Sequence, residues 1–209
     1  MSQVAISGNA SGTGTLTIAA PNTNSNYTLT LPTATTTFVG TDATQTLTNK
    51  TIQGGAITSG TAVASTSGTS IDFTGLPSWI KRITIMFNGV SGNASSNLLV
   101  QIGSGSVTTS GYASQGSYTT TGTNLATSTI GFVVWRDAAS YALTGHMIIT
   151  NITGTTWIES HTGTIATNVN VYGAGSSPSL SGALDRVRIT TVNGTDLFDA
   201  GTVNIMYEG

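Results

Sequence analysis

Apolar residues recur at every second position along much of this chain, the spacing of strands that bury one face. Thr15-Leu16-Thr17-Ile18 and Tyr27-Thr28-Leu29-Thr30-Leu31 both alternate in this way, and Pro21-Asn22-Thr23-Asn24-Ser25-Asn26 between them is a turn cluster. The pattern predicts an open hairpin laid on an apolar surface, with Leu16 and Ile18 sharing one face and Tyr27, Leu29 and Leu31 another. Pro32 lacks the N–H that a ladder needs, so it ends the second strand or holds it at an edge. Asp42-Ala43-Thr44-Gln45 can open a short helix, and the threonines that follow keep it from lengthening. Gly54, Gly55 and Gly60 then mark a linker.

Beyond Ser70 the runs lengthen. Strands are expected near 70–74, 81–88, 97–103, 129–136, 145–152, 156–165, 168–172, 185–192 and 202–207. Arg82-Ile83-Thr84-Ile85-Met86-Phe87 and Arg186-Val187-Arg188-Ile189-Thr190 alternate wet and dry, whereas Phe132-Val133-Val134-Trp135 is apolar throughout and fits a strand covered on both sides. Turn signals separate the runs at Asn88-Gly89, Gly92-Asn93, Asn151-Ile152-Thr153-Gly154 and Asn193-Gly194, the last a two-residue hairpin signal. The expected fold is all-β: an N-terminal hairpin and extended anchoring region over 1–65, then an antiparallel, jelly-roll-like β-sandwich head over 66–209.

Composition changes this picture in one respect. Residues 1–70 hold 12 Ile, Leu, Val and Phe, or 17%, against 35, or 25%, in residues 71–209. So lean a stretch can hardly offset roughly 1–2 kcal/mol of backbone entropy per residue from its own core. Other chains are expected to complete it, in an obligate oligomer or a larger assembly. Six Lys and Arg and eight Asp and Glu, 7% of the chain with a net charge of −2, leave no basic cluster for nucleic acid or an anionic membrane. There is no apolar run of the ~20 residues that a membrane span needs, and the start has neither the basic nor the apolar region of an export signal. With no cysteine, disulfides and zinc-thiolate sites are excluded. Threonine and serine, 41 and 24, take the place of charge, a surface more like that of a particle component than of a cytosolic enzyme.

Asp42-Ala43-Thr44-Gln45-Thr46-Leu47-Thr48-Asn49-Lys50-Thr51-Ile52 resembles an element that recurs in tail fibres of tailed bacteriophages. Gly14–Pro21 and Tyr27–Pro32 resemble the paired strands that usually precede it. Phe73–Phe87 and Leu184–Thr195 are similar to a C-terminal domain common in phage fibre and virion-associated proteins. The resemblance implies a homotrimeric virion fibre, anchored through its N-terminal region to other virion proteins of the baseplate or tail. The C-terminal head would then be exposed to recognise a host-surface glycan or envelope component. The chain has almost no shaft, so a capsid-surface decoration or head-fibre protein is the alternative. Leu16, Ile18, Leu29 and Leu31 are the candidate assembly and anchoring residues.

Chemistry is sparse. His146 and His161 are the only histidines among 65 hydroxyl residues, so a serine or threonine near one of them carries little weight. On a strand Trp157, Glu159 and His161 share a face, a wet one or a small polar site. Asp196 and Asp199 are close enough in sequence for a glycosidase-like pair, but read better as a turn cap and a partner for Arg186 or Arg188. No enzyme activity, cofactor or metal is expected; only an oxygen-ligand Ca²⁺ site is conceivable from these residue types. Gly103-Ser104-Gly105 and Gly173-Ala174-Gly175 lack the Lys-Ser/Thr of a phosphate loop. Sugar binding is the best remaining chemistry, because an aromatic ring beside hydroxyls and amides can stack on a pyranose and hold its rim. Tyr112 and Tyr118 in the polar stretch 104–129, and Tyr141 beside Arg136-Asp137, are the candidate ligand contacts. Packing on neighbouring strands or an adjacent subunit is the alternative for each. Trp79, Trp135 and Trp157 are assigned to the core or its margin.

Overall fold

In the computed structural model, residues 11–14, 22–26, 57–119, 123–166 and 169–209 are described. The chain divides into two units, Met1–Lys50 and Thr51–Gly209. In the first, the Ser25 N–H donates to Thr23 Oγ1 at 3.1 Å within the expected turn cluster. Leu16, Ile18, Leu29 and Leu31, and the short helix expected at Asp42, lie outside the described residues.

The second unit is all-β. Its strands are β1 (Thr58–Ser59), β2 (Val63–Ala64), β3 (Ile71–Thr74), β4 (Arg82–Gly92), β5 (Leu98–Ser104), β6 (Ser106–Val107) and β7 (Ala113–Thr119). There follow β8 (Thr123–Ser128), β9 (Phe132–Val134), β10 (Leu143–Thr153), β11 (Thr156–Ala166), β12 (Val169–Ser176), β13 (Arg186–Thr191) and β14 (Phe198–Glu208). Nine of them form one antiparallel sheet, ordered β1-β14-β4-β10-β11-β12-β7-β8 with β2 also on β14. The other five form a smaller sheet, β3-β13-β5 with β6 and β9 both paired to β5.

Apart from the hairpins β5–β6, β7–β8 and β10–β11–β12, each step from β3 to β14 crosses between the sheets. That interleaving is a jelly roll, with β10–β11–β12 standing where a simpler one has a single strand. Residues 58–64, expected in the anchoring region, pair with β14 and so belong to the sandwich.

Alternation decides which side chains meet inside. Ile83, Ile85 and Phe87 on β4, Met147 and Ile149 on β10, and Val203 and Ile205 on β14 are buried, and they face Val187 and Ile189 of β13 and Val100 and Ile102 of β5. Each such side chain is worth roughly 1.5–3 kcal/mol of burial. Phe132, Val133 and Val134 are all buried, as a strand covered on both faces requires.

Two turn signals act differently from expectation. Asn193-Gly194 does close a turn, with Gly194 at φ +69° and its N–H donating to Thr191 O at 3.0 Å. The strands either side belong to different sheets, so it is a corner and no hairpin. Asn88-Gly89 lies within β4, at a register shift against β10, and is a bulge. Asn151–Gly154 does join β10 to β11; Asn151 Nδ2 donates to Gly154 O and Thr156 O, each at 3.1 Å.

The stretch 104–129, expected as a polar loop, instead contains the hairpin β7–β8. Its inward positions carry almost no apolar signal because they are Ser114, Gly116 and Tyr118. The Ser114 hydroxyl accepts the Val133 N–H at 3.0 Å, and a Cβ on Gly116 would lie 2.7 Å from Val133 O. Strand β9 runs close over this hairpin, and small residues let it do so.

Candidate functional site

The outward face of the large sheet is most open over β11, β12, β7 and β8. Register places Ser160, Ala174, Gln115 and Thr127 side by side in one row across it. The next row is Thr162, Tyr172, Ser117 and Leu125. On the other side, Ile158, Ser176 and Ala113 form a third. Small residues at 113 and 174–176 leave an open trough of about 630 Å³ over the sheet, walled by Ile158, Gln115 and Thr127. Tyr172 stands next along β12 from Ala174 and is 52% exposed. Among the described residues of these four strands, no outward side chain is charged. On the neighbouring β10 the exposed His146 stands beside Thr162 in the Tyr172 row, and Arg82 and Glu208 pair with each other on β4 and β14.

A second recess, about 330 Å³, lies on the outer face of the small sheet between Arg188, Gln101, Thr190 and the Asn193-Gly194 turn. Its polar groups are committed to one another. Arg188 Nε and Nη2 donate to Asp72 Oδ1 and Oδ2 at 2.7 and 3.1 Å, Gln101 Nε2 donates to Ile130 O at 2.8 Å, and Thr190 Oγ1 to Thr69 O at 2.7 Å.

Of the sequence-derived candidates, Tyr112 borders the trough, whereas Tyr118 and Tyr141 do not line it. Tyr112 is 2% exposed and belongs to the core, edge-on to Phe132 at 5.0 Å between ring centroids. Its hydroxyl accepts the Ile102 N–H at 3.0 Å and donates to Ile102 O at 3.2 Å. Burial pushes its phenol up to about 12. Tyr112 is therefore a core residue at the border of the trough, with almost no free face to offer a ligand. Tyr118 is half-buried against Trp135, with centroids 5.0 Å apart, and Tyr141 also packs on the core. The three rings do not share a surface loop. Trp157 is buried, Trp135 half-buried, and Trp79 is exposed against Tyr207.

Arg136 is not a loop-surface charge either. It is fully buried, and its guanidinium donates to Ala94 O at 2.7 Å and to Gly92 O and Ala138 O at 3.3 Å, tying two loops together. Desolvation pulls its pKa down, while Asp196 and Asp199 act to raise it. Asp196 caps the turn as expected, accepting the Ser96 N–H at 3.0 Å and the Asn193 side-chain amide, and Asp199 accepts the Ser91 hydroxyl. Neither pairs with Arg186 or Arg188: those partners are Asp185 and Asp72.

Trp157, Glu159 and His161 do share a face, and it is the inward one. His161 Nδ1 lies 3.1 Å from Glu159 Oε2, both side chains buried, while Glu159 Oε1 and His161 Nε2 have no protein partner. The Gly173-Ala174-Gly175 run makes this possible, since a Cβ on Gly173 would overlap the His161 ring. Among the described residues no group of three or more His, Asp and Glu is placed to hold a metal ion. Tyr172, the exposed aromatic beside the trough, lies on a strand and not on a loop, and is not among the sequence-derived candidates. Its signal is the alternation Val169-Asn170-Val171-Tyr172, which turns the valines in and the tyrosine out.

Comparison of the chain with protein-family models, with curated proteins and with solved structures finds no match.

Proposed function

We propose that this chain is a structural virion fibre protein of a tailed bacteriophage. It acts as a homotrimer, held to other virion proteins by its N-terminal region, and its C-terminal head recognises a host-surface glycan. The observation that supports this most is the division of labour along the chain. Residues 57–209 close a jelly-roll core of their own and turn outward, over β11, β12, β7 and β8, a hydroxyl-rich sector whose described outward side chains carry no charge. They follow a segment whose apolar content, 12 Ile, Leu, Val and Phe in 70 residues, points to completion by neighbouring chains. The resemblance of Asp42–Ile52 and Leu184–Thr195 to phage fibre segments points the same way.

Gold-conjugated antibody against residues 66–209, applied to purified particles of the phage that encodes the chain, tests the reading. Label at the tail is expected. Label spread over the capsid would favour a decoration protein, and unlabelled particles would refute a virion component.

A further inference from the structure

The trough over β11, β12, β7 and β8, with the exposed Tyr172 beside it, has the chemistry of a carbohydrate platform, and we propose that it binds a neutral saccharide. The inference rests on the host-recognition reading above and gives it a place and a ligand class.

Three observations carry it. First, Tyr172 projects from mid-strand, 52% exposed, between Thr162 and Ser117. An exposed ring held by a rigid strand is a stacking surface with little entropy left to lose. Second, Gln115 lies diagonally from Tyr172 across the β12–β7 register, about 7–8 Å away between backbones. That separation lets one sugar stack on the ring while its neighbour in the chain seats over Ala174. There Gln115 offers both amide donor and acceptor, and Thr127, opposite it on β8, adds a hydroxyl. Third, no described outward side chain of these four strands is charged; Glu159, which also borders the trough, is buried in its pair with His161, and His146 lies one strand beyond on β10. An acidic or amino sugar would give up hydration with no ion to replace it, whereas hydroxyls exchange water for amide and hydroxyl partners evenly. The apolar groups, Ile158, Leu125, Ala113 and Ala174, are separated from one another by hydroxyls and an amide, matching the patchy face of a pyranose better than a continuous lipid or peptide surface.

The small-sheet recess is the weaker competitor. Its arginine and glutamine are already bonded within the protein, so a ligand would have to break those contacts.

The test uses the full chain on an array of neutral and acidic oligosaccharides, beside Tyr172→Ala, Gln115→Ala and Trp79→Ala. Trp79 is an exposed aromatic outside the platform, and thermal melts of all three variants establish that they fold. The expected result is retention on neutral members, weakened roughly tenfold by Tyr172→Ala and several-fold by Gln115→Ala, and unchanged by Trp79→Ala. Retention that ignores both platform substitutions, or that is confined to acidic members, would overturn this site while leaving glycan recognition standing. A fall in oligomer mass on Tyr172→Ala would also overturn it, by making the face a subunit contact. No retention at all would remove both the site and the glycan part of the reading. Whether the chain is a fibre would still be decided by labelling of the particles.

Discussion

Arg136 and Tyr112 show how single polar side chains are accommodated in this core. A guanidinium has five donors in a rigid fork, and here it holds carbonyls at 92, 94 and 138, the last of which also accepts the Tyr141 N–H. Arg136→Met keeps the bulk and removes the donors, taking from the Gly92 and Ala94 carbonyls the guanidinium they accept from. A loss of about 3 kcal/mol in urea unfolding is expected, and a change below about 1 kcal/mol would mean that the loops do not depend on it. Tyr112 is subject to pH. Its phenol, ordinarily at 10.0, is raised to about 12 by burial. On alkalinisation the unfolded chain therefore loses this proton first. The stabilisation is whole below about pH 10 and is lost as pH rises to about 12, by about 3 kcal/mol in all. Tyr112→Phe should flatten that part of the stability–pH curve relative to the parent protein. At neutral pH it should cost about 1 kcal/mol through the Ile102 N–H left without its acceptor, since Ile102 O keeps the Thr108 N–H. A parallel alkaline decline in parent and variant would contradict the burial of this hydroxyl.

At the scale of elements, glycine decides what can pass over what. Gly173 lies under the His161 ring and beside the Gln115 carbonyl, and a Cβ there would overlap both. Gly173→Ala should destabilise by about 2–3 kcal/mol, seen as a lower melting temperature. Adding His161→Ala should restore little, because the carbonyl is backbone and cannot move aside. Full recovery in the double variant would mean that the ring alone is the obstacle. The same glycines explain which strands were legible. β4, β10, β11 and β13 bury Ile, Val, Met and Trp at alternate positions, and the chain displays them as periodicity. β7 buries Ser114 and Gly116 under β9, so its strand character comes from tertiary close approach and no hydrophobic pattern reports it. Tyr112 and Tyr118 consequently read as loop residues when one is core and the other packs on Trp135. Arg136 read as exposed because a charge is usually hydrated, and the carbonyls that enclose it come from loops more than 40 positions upstream and a few positions downstream.

For the whole molecule, the interleaving of β3 through β14 between two sheets gives residues 57–209 a core closed by their own strands. An all-β sandwich followed from strand number and turn spacing. Which strands cross between sheets did not, since Asn193-Gly194 signals a hairpin locally and serves as a corner. If, as proposed, the N-terminal region forms the trimer and the head does the recognising, the two roles should separate under mutation. Leu16→Asp or Leu29→Asp would bring a charge into a shared apolar surface, dispersing the assembly while the β-sheet signal and melting of the head persist. Size-exclusion light scattering of the full chain and of these two variants is the most direct measurement. The account predicts a mass of three 21.2 kDa chains for the parent and of one chain for each variant. A parent that elutes as a single chain, or a trimer untouched by both substitutions, would contradict it.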